Sequence, residues 1–343
     1  ASKGNPAITT AYTPDAMNRY GTITTPGADD ILVRSGVPVG IAADGQAGTV
    51  TTAGSLHNGR VDVDNAPNGA WADITVTATG FSDTGHRWVP PATVEPTYDD
   101  DGNLLDDGRW TYTWDAMNRL VAMAPTANAL TAGVPNEAIT FAYDFASRRI
   151  GKKVTTTSGT GTTVKDTRYL YDGWNVVAEF EYDDLGDMIP QATYVWSMDL
   201  SGTLQGAGGV GGLLSVNLLS PVSAASAFLP CYDANGNIIA WTDGNGSPAQ
   251  RQDYDPFGNL VIVERLAITP ADSARLTYGF STKPLDAETG LHYYGYRFYD
   301  GRNGRWNNRD PIEENGGINL YGFVGNNGVS CVDLWGLAEP LMS

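Results

Sequence analysis

Between Asp30 and Thr79, apolar and polar residues alternate, so that Val, Ile and Thr recur at every second position in several short segments. These segments are VPVGIAADG, GTVTTAG, GRVDVDN and WADITVTATG, and Gly, Asn and Asp residues separate them. Such alternation between turn residues is typical of short β-strands. It predicts a small β-sandwich-like insert over residues 30–89, preceded by a strand-and-turn segment over residues 1–29. More strands of a main sheet are the alternative interpretation.

A second pattern repeats from residue 90 onward. The shared pattern is an aromatic residue, an Asp, two variable residues, a Gly or Asn, a polar residue and then an aliphatic residue; the copy at Tyr143 keeps Asp144, Arg148 and Ile150, and the copy at Tyr171 keeps Asp172, Asn175 and Val176. The copies begin at Tyr98, Trp114, Tyr143, Tyr171, Tyr182, Tyr232 and Tyr254. A related piece at Asp15, DAMNR, nearly duplicates the copy at Asp115.

The repeated pattern predicts one β-hairpin per copy. Asp is favoured at the first position of a type I turn, where its carboxylate accepts backbone N–H groups. Three residues later, Gly or Asn tolerates the left-handed conformation that closes a hairpin with a bulge. The aromatic residue and the aliphatic residue then face each other across the two strands. Because single hairpins cannot bury a face alone, we expect residues 90–280 to stack into one curved or spiralling sheet that covers its own edges.

Composition and charge narrow the function classes. The 41 Gly and 19 Pro among 343 residues, with 41% hydrophobic and only 17% charged residues, suit an all-β protein with many turns. The net charge of −18 argues against a nucleic-acid partner and against docking on an anionic membrane. No apolar run approaches the roughly 20 residues of a membrane span. We expect neither metal nor cofactor, because the three histidines are far apart and the Asp99–Asp101 run lacks EF-hand spacing.

The chain ends and the cysteines leave alternatives open. The sequence starts at Ala1 without an initiator Met or a signal peptide, so we expect either processing or a piece of a longer polypeptide. Cys231 and Cys331 do not define a disulfide framework. They either pair across the fold or remain buried thiols.

The stretch Thr289–Leu337 is the densest in specific residues. Its distinctive pieces are Thr289-Gly290-Leu291, Tyr293-Tyr294, Arg297-Phe298-Tyr299-Asp300, Gly304-Arg305-Trp306, Arg309-Asp310-Pro311, Gly316-Gly317-Ile318-Asn319-Leu320-Tyr321, Asn326-Asn327 and Asp333-Leu334-Trp335-Gly336. With the repeats before it, this stretch resembles the YD-repeat proteins: the rearrangement-hotspot (RHS) proteins, the C components of bacterial Tc toxins, and the teneurins. Residues 281–337 resemble the RHS repeat-associated core domain, and residues 338–343 form a residual C-terminal tail.

The resemblance implies a structural function. In this family, a β-sheet spirals into a hollow shell, the core domain plugs one end, and a variable polypeptide, often a toxin, follows it and is held inside. It therefore implies an extracellular shell or scaffold whose partners are its own C-terminal polypeptide or upstream RHS repeats. Because 343 residues are too few for a closed shell, we expect either a fragment or a homo-oligomer formed by strand addition at open edges. The alternative is an extracellular fibre or adhesin that assembles with itself and no longer cleaves.

The resemblance also implies chemistry, at most that of an aspartic autoprotease acting once on its own chain. Asp310 and Asp333 are the implied carboxylate pair, Arg309 is the adjacent basic residue, and Leu337–Ala338 is the implied scissile bond. Peptide hydrolysis by two carboxylates needs one ionised group to take a proton from water and one protonated group to polarise the carbonyl. Close like charges separate the two pKa values and so provide both states at one pH.

A purely structural interpretation of both aspartates stands beside the catalytic one. Asp310 precedes Pro311, which is a common turn or cap sequence. Asp333 is equally suited to accept a hydrogen bond in a turn that ends at Gly336. The piece Asp333-Leu334-Trp335-Gly336 also lacks the proline that the family usually has after this aspartate.

Overall fold

The computed structural model describes residues 8–220, 225–337 and the backbone of 341–342. Two compact units divide the chain. The first unit comprises Ala1–Thr113, Met123–Ala138 and Thr156–Gly161, and the second comprises Trp114–Ala122, Ile139–Thr155 and Thr162–Ser343. Neither helix in the described part of the chain has the length and apolar character needed to span a bilayer.

The protein is all-β, as its turn-rich composition predicts. The strands up to the end of the first long hairpin series are β1 (Ala11–Pro14), β2 (Tyr20–Thr24), β3 (Ala28–Arg34), β4 (Val39–Ala43), β5 (Gln46–Ala47), β6 (Thr49–Ala53), β7 (Leu56–Asp62), β8 (Ala70–Ala78), β9 (Phe81–Val89), β10 (Thr93–Val94), β11 (Thr97–Tyr98), β12 (Leu104–Asp106), β13 (Trp110–Trp114), β14 (Leu120–Pro125), β15 (Asn136–Tyr143) and β16 (Arg149–Ser158). The later strands are β17 (Gly161–Asp172), β18 (Asn175–Tyr182), β19 (Met188–Trp196), β20 (Leu213–Leu218), β21 (Ser226–Tyr232), β22 (Ile238–Asp243), β23 (Pro248–Tyr254), β24 (Leu260–Arg265), β25 (Leu285–Asp286), β26 (Leu291–Tyr293), β27 (Phe298–Asp300), β28 (Arg305–Trp306), β29 (Cys331–Val332) and β30 (Leu341–Met342). The α-helices are α1 (Ala127–Thr131) and α2 (Pro270–Arg275).

The strands follow chain order in the largest sheet. Strands β11 to β24 form 14 neighbouring strands, which is the arrangement expected when hairpins are laid down one after another. A separate four-stranded sheet, β25-β26-β27-β28, belongs to the second unit. Strand β29 pairs with β30.

The predicted β-sandwich-like insert is present in the first unit. Two small sheets, β3-β7-β6 and β5-β4-β8-β9, form it. They share one cluster of buried residues, to which Ile41, Val61, Ala72, Ile74 and Val89 contribute. Alternation along each strand supplies this cluster, because every second side chain faces inward. The domain boundaries given above stay predictions.

The aspartate turns have the predicted geometry, and Asp255 illustrates it. Its Oδ1 accepts the N–H groups of Phe257 at 2.8 Å and Asn259 at 3.0 Å. Its Oδ2 accepts the side-chain amide of Asn259 at 2.8 Å. Gly258 has a φ of +84°, the left-handed conformation that glycine adopts without strain. Tyr254 lies opposite Leu260 across the hairpin, and the register shifts between Asp253 and Tyr254, so this copy forms the predicted bulged hairpin.

The tyrosine of the repeat also joins neighbouring hairpins. Tyr143 donates its hydroxyl to the carbonyl of Leu120 at 2.6 Å, and Tyr171 donates to the carbonyl of Arg149 at 2.9 Å. In each case the acceptor lies just beyond the turn of the preceding hairpin. The guanidinium of Arg148 lies 5.2 Å from the centre of the Tyr171 ring, so cation–π attraction reinforces the same junction. The Tyr-Asp pair therefore contributes to one turn and connects it to the preceding hairpin.

An aromatic core holds the C-terminal part of the second unit together. Phe280, Tyr294, Tyr299, Trp306 and Phe323 are all buried in one cluster. The rings of Tyr299 and Phe323 stack with centres 4.0 Å apart. Such ring pairs add specific geometry to a large apolar burial.

Ion pairs and turn contacts anchor this core on the long sheet. Asp286 of β25 accepts from Arg149 of β16 and from Lys152, whose Nζ lies 3.1 Å away. Tyr299 donates to the carbonyl of Phe257 at 2.9 Å, in the Asp255 turn. The C-terminal segment is thereby fixed on the hairpin series.

Candidate functional site

Asp310, Asp333 and Arg297 meet inside the second unit. Their exposed fractions are 4%, 0% and 1% respectively, so the cluster is shielded from solvent. Arg297 Nη2 donates to Asp310 Oδ2 at 2.7 Å and lies 3.8 Å from Asp333 Oδ2. The two carboxylates therefore share one guanidinium nitrogen.

Arg297 lies in the turn between β26 and β27, and several contacts fix its orientation. Nη1 donates to the carbonyl of Leu320 at 3.1 Å, and Nε donates to the carbonyl of Gly336. The guanidinium packs over the Trp306 ring, 4.2 Å from its centre. Burial lowers the pKa of Arg297 to about 10, against the attraction of the two carboxylates. Arg297 remains a cation at neutral pH.

Asp310 occupies a turn, as the structural interpretation of Asp-Pro predicts. Its Oδ1 accepts the N–H of Ile312 at 3.0 Å, and its carbonyl accepts the N–H of Glu313 at 3.0 Å. The N–H of Asp310 donates to the carbonyl of Leu320, also at 3.0 Å. These contacts fix the carboxylate so that Oδ2 meets Arg297. Asp310 therefore makes a turn contact through Oδ1 and an ion pair through Oδ2.

Asp333 also closes a turn, and its two oxygens have different environments. Oδ1 accepts the N–H groups of Trp335 at 3.0 Å, Gly336 at 2.7 Å and Leu337 at 3.2 Å. Oδ2 is buried and has no hydrogen-bond partner among the described residues. Burial raises the pKa of the Asp333 carboxyl, although Arg297 and the three amides oppose that shift.

The structure thus brings two of the sequence-predicted residues together and supplies a third that the sequence interpretation missed. The guanidinium between the carboxylates belongs to Arg297, whereas Arg309 is half-buried beside Asp310 in sequence. Any role of Arg309 stays a prediction. Leu337 is held at the end of the Asp333 turn, and Ala338, the other residue of the implied scissile bond, lies outside the described residues.

This geometry separates the roles of the two carboxylates. Asp310 holds the short, charge-assisted ion pair with Arg297. Asp333 is fully buried, and this burial raises the pKa of its carboxyl. A pair with one ionised and one protonated carboxyl is the arrangement that acid–base hydrolysis of a peptide requires.

The remaining candidate chemistry is limited. Both cysteines are free thiols: Cys231 is exposed and Cys331 is buried. No cluster of three or more His, Cys, Asp or Glu side chains with metal-binding geometry occurs within residues 8–220 and 225–337. A cavity of about 130 Å³ lies in the second unit, with Glu179, Tyr278, Lys283 and Trp335 among its lining residues. Burial raises the pKa of Glu179 in that cavity.

Comparison with known proteins places these features in a family. Residues 216–329 match the Teneurin YD-shell family model. The chain is 31% identical over 241 residues to the tRNA nuclease WapA of Bacillus subtilis, covering 69% of this chain and 9% of that protein. It is 29% identical over 252 residues to the toxin subunit YenC1 of Yersinia entomophaga, covering 71% of this chain and 24% of that protein.

A solved structure supports the same fold. The crystal structure of TcdB2-TccC3-TEV matches 96% of this chain and 15% of its own, with a TM-score of 0.56 at 16% identity. The chain thus spans a small part of each protein that it resembles, and the likeness to the crystal structure concerns the fold.

Proposed function

Because this chain is an RHS-type YD-repeat protein, we propose that it forms the C-terminal part of a β-sheet shell that encloses or presents the polypeptide following Leu337. The observation that carries the proposal is the anchoring of the Asp333 turn. Three amides of that turn, ending at Leu337, converge on one buried carboxylate oxygen. The chain therefore leaves the core domain from a fixed point at Leu337, which suits a domain that presents the polypeptide following it.

The proposed shell function predicts protection of the following polypeptide. In the full-length natural protein, residues beyond Leu337 are expected to resist proteinase K under native conditions and to become sensitive after mild denaturation. The control is an exposed hairpin tip, such as that carrying Leu185, which is 87% exposed and whose accessibility sets the native cleavage rate. Cleavage beyond Leu337 as fast as at this tip would contradict enclosure.

We further propose that the cluster of Arg297, Asp310 and Asp333 hydrolyses the bond after Leu337. In this reaction, ionised Asp310 takes a proton from water, and the water oxygen bonds to the Leu337 carbonyl carbon. Protonated Asp333 donates a hydrogen bond to the carbonyl oxygen. The C–N bond then breaks, Asp310 passes the proton that it took from water to the leaving amine of Ala338, and Leu337 retains the new carboxyl group. Arg297 balances the negative charge throughout.

Intact mass spectrometry tests this hydrolysis. Wild-type protein is expected to lack residues 338–343, whereas Asp310→Asn and Asp333→Asn proteins are expected to keep them. The matched control is Asp243→Asn, which changes an aspartate of an ordinary exposed hairpin turn. A wild-type mass that includes the tail would exclude cleavage and leave the shell function standing.

The extracellular location and the partners belong to the same proposal. A shell of this kind acts outside the cell that makes it, with upstream RHS repeats and the C-terminal polypeptide as its partners. Homo-oligomer formation by strand addition remains the alternative expected of a fibre or adhesin. Light scattering separates the two: a fibre predicts a mass that grows with concentration, and a shell segment predicts a constant one.

A further inference from the structure

Lys283 is a buried lysine next to the candidate site, and neither the repeat pattern nor the proposed hydrolysis accounts for it. It is only 5% exposed. Its Nζ donates to the carbonyl of Leu334 at 2.7 Å and to the carbonyl of Gly208 at 2.7 Å. It also lies 5.5 Å from the ring centres of both Tyr294 and Trp335. A desolvated ammonium group needs such partners, and here one of them is the backbone of the Asp333 turn.

The second carbonyl belongs to the glycine-rich segment GAGGVGG at residues 206–212. Gly208 has a φ of +62°, and a Cβ at this position would overlap the carbonyl oxygen of Leu334. Only glycine therefore lets the segment approach the Asp333 turn so closely. The glycines accommodate backbone contact here.

Other contacts make the glycine segment rigid. The buried carboxylate of Asp199 accepts the N–H groups of Ala207 at 2.7 Å and Gly209 at 3.1 Å. Thr282 accepts the N–H of Gly211 through its hydroxyl at 2.8 Å. A fixed segment on one side and Lys283 on the other can therefore hold the peptide group of Leu334.

We propose that Lys283, braced by the glycine segment, is a positioning residue that fixes the Asp333 turn and thereby presents the Leu337 carbonyl to Asp310 and Asp333. The Leu334 carbonyl and the Trp335 amide belong to one planar peptide group. Anchoring that carbonyl fixes the first of the three amides that hold Asp333 Oδ1. The effect on cleavage rests on the proposed hydrolysis, whereas the effect on the turn does not.

The charge state supports this function. Burial lowers the pKa of Lys283 to about 8, and the carboxylates of Asp333 and Asp199 oppose that shift. Lys283 is therefore mostly protonated at neutral pH, and its hydrogen bonds to the two carbonyls are charge-assisted.

The test compares Lys283→Met with wild type in two measurements on the full chain. Amide hydrogen exchange at Trp335, Gly336 and Leu337 is expected to accelerate about 10-fold or more, because a charge-assisted bond to the turn is lost. The first-order rate of tail loss, followed by intact mass, is expected to fall about 100-fold, as small misplacements of reacting groups do. Lys283→Arg, which keeps the cation, is expected to restore both.

The matched control is Lys165→Met. Lys165 lines the same cavity but is 57% exposed and pairs with Glu181 at 3.0 Å, so its replacement should leave both measurements unchanged. Wild-type exchange at the three amides in Lys283→Met would overturn the proposal. If that variant fails to fold, Lys283→Gln, which keeps one donor, is expected to give intermediate exchange, and unchanged exchange overturns the proposal. An uncut wild type with accelerated exchange in the variant would instead refute the hydrolysis alone.

Discussion

Replacing Arg297 by Met tests whether the buried cluster depends on one cation. The side chains of Arg297 and Asp310 are 0% and 2% exposed, so solvent does not screen their 2.7 Å ion pair. Removing the cation leaves the buried Asp310 carboxylate uncompensated, and breaking such a buried ion pair costs about 3–5 kcal/mol. The carbonyls of Leu320 and Gly336 also lose their donor.

Guanidinium denaturation gives the free energy of unfolding for this comparison. Adding Asp310→Asn to Arg297→Met is expected to recover about 1–3 kcal/mol, because one uncompensated charge is removed. The control is Arg251→Met. Arg251 lies 3.9 Å from Glu264 with side chains 58% and 36% exposed, so its loss should change stability by about 1 kcal/mol or less. The reasoning is refuted if Arg297→Met costs no more than Arg251→Met, or if Asp310→Asn recovers nothing.

Three further predictions use glycine geometry and pH. Gly208→Ala should cost about 1–3 kcal/mol more in denaturant unfolding than Gly246→Ala, because both have positive φ but only Gly208 abuts another backbone; equal costs would contradict the close approach. Because the pKa of Asp333 is raised in the folded state, the wild type should lose stability relative to Asp333→Asn as pH rises through that folded-state pKa. A stability difference between the two proteins that does not change with pH would contradict this prediction. Burial lowers the pKa of His292 to about 4, so the wild type should lose about 3 kcal/mol as pH falls from about 6.5 to about 4. In His292→Gln this loss should disappear, as thermal unfolding across that range would show.

The turn and the strand pairing of each hairpin could be predicted from sequence because the residues that determine them lie within one repeat. In the Asp255 copy, the aspartate, Gly258 and Leu260 determine the turn, its left-handed residue and the strand pairing within seven residues of one another. The role of the tyrosine hydroxyl could not be predicted in the same way. Its acceptor belongs to the preceding hairpin, about 20 residues away.

The candidate site also combines local contacts, which could be predicted from sequence, with contacts between distant residues, which could not. The motifs Arg309-Asp310-Pro311 and Asp333-Leu334-Trp335-Gly336 identify the two aspartates, and the turn contacts of these aspartates involve neighbouring residues. Arg297 belongs to the motif Arg297-Phe298-Tyr299-Asp300, but its position between the carboxylates depends on the packing of Trp306 and on distant carbonyls. Lys283 has no local pattern at all. An arginine just before a buried strand of the core domain is the one feature that could have pointed to a buried cation.

The most direct test of the central claim is to let newly synthesised wild-type protein mature in water enriched in oxygen-18 and then to sequence its C-terminal peptide by mass spectrometry. Hydrolysis by the two carboxylates transfers an oxygen atom from water to the Leu337 carbonyl carbon. The account predicts a single new C-terminus at Leu337 that carries one heavy oxygen atom, and an unlabelled, uncut chain for Asp333→Asn. A wild-type peptide that continues unbroken from Leu337 into Ala338 would contradict it.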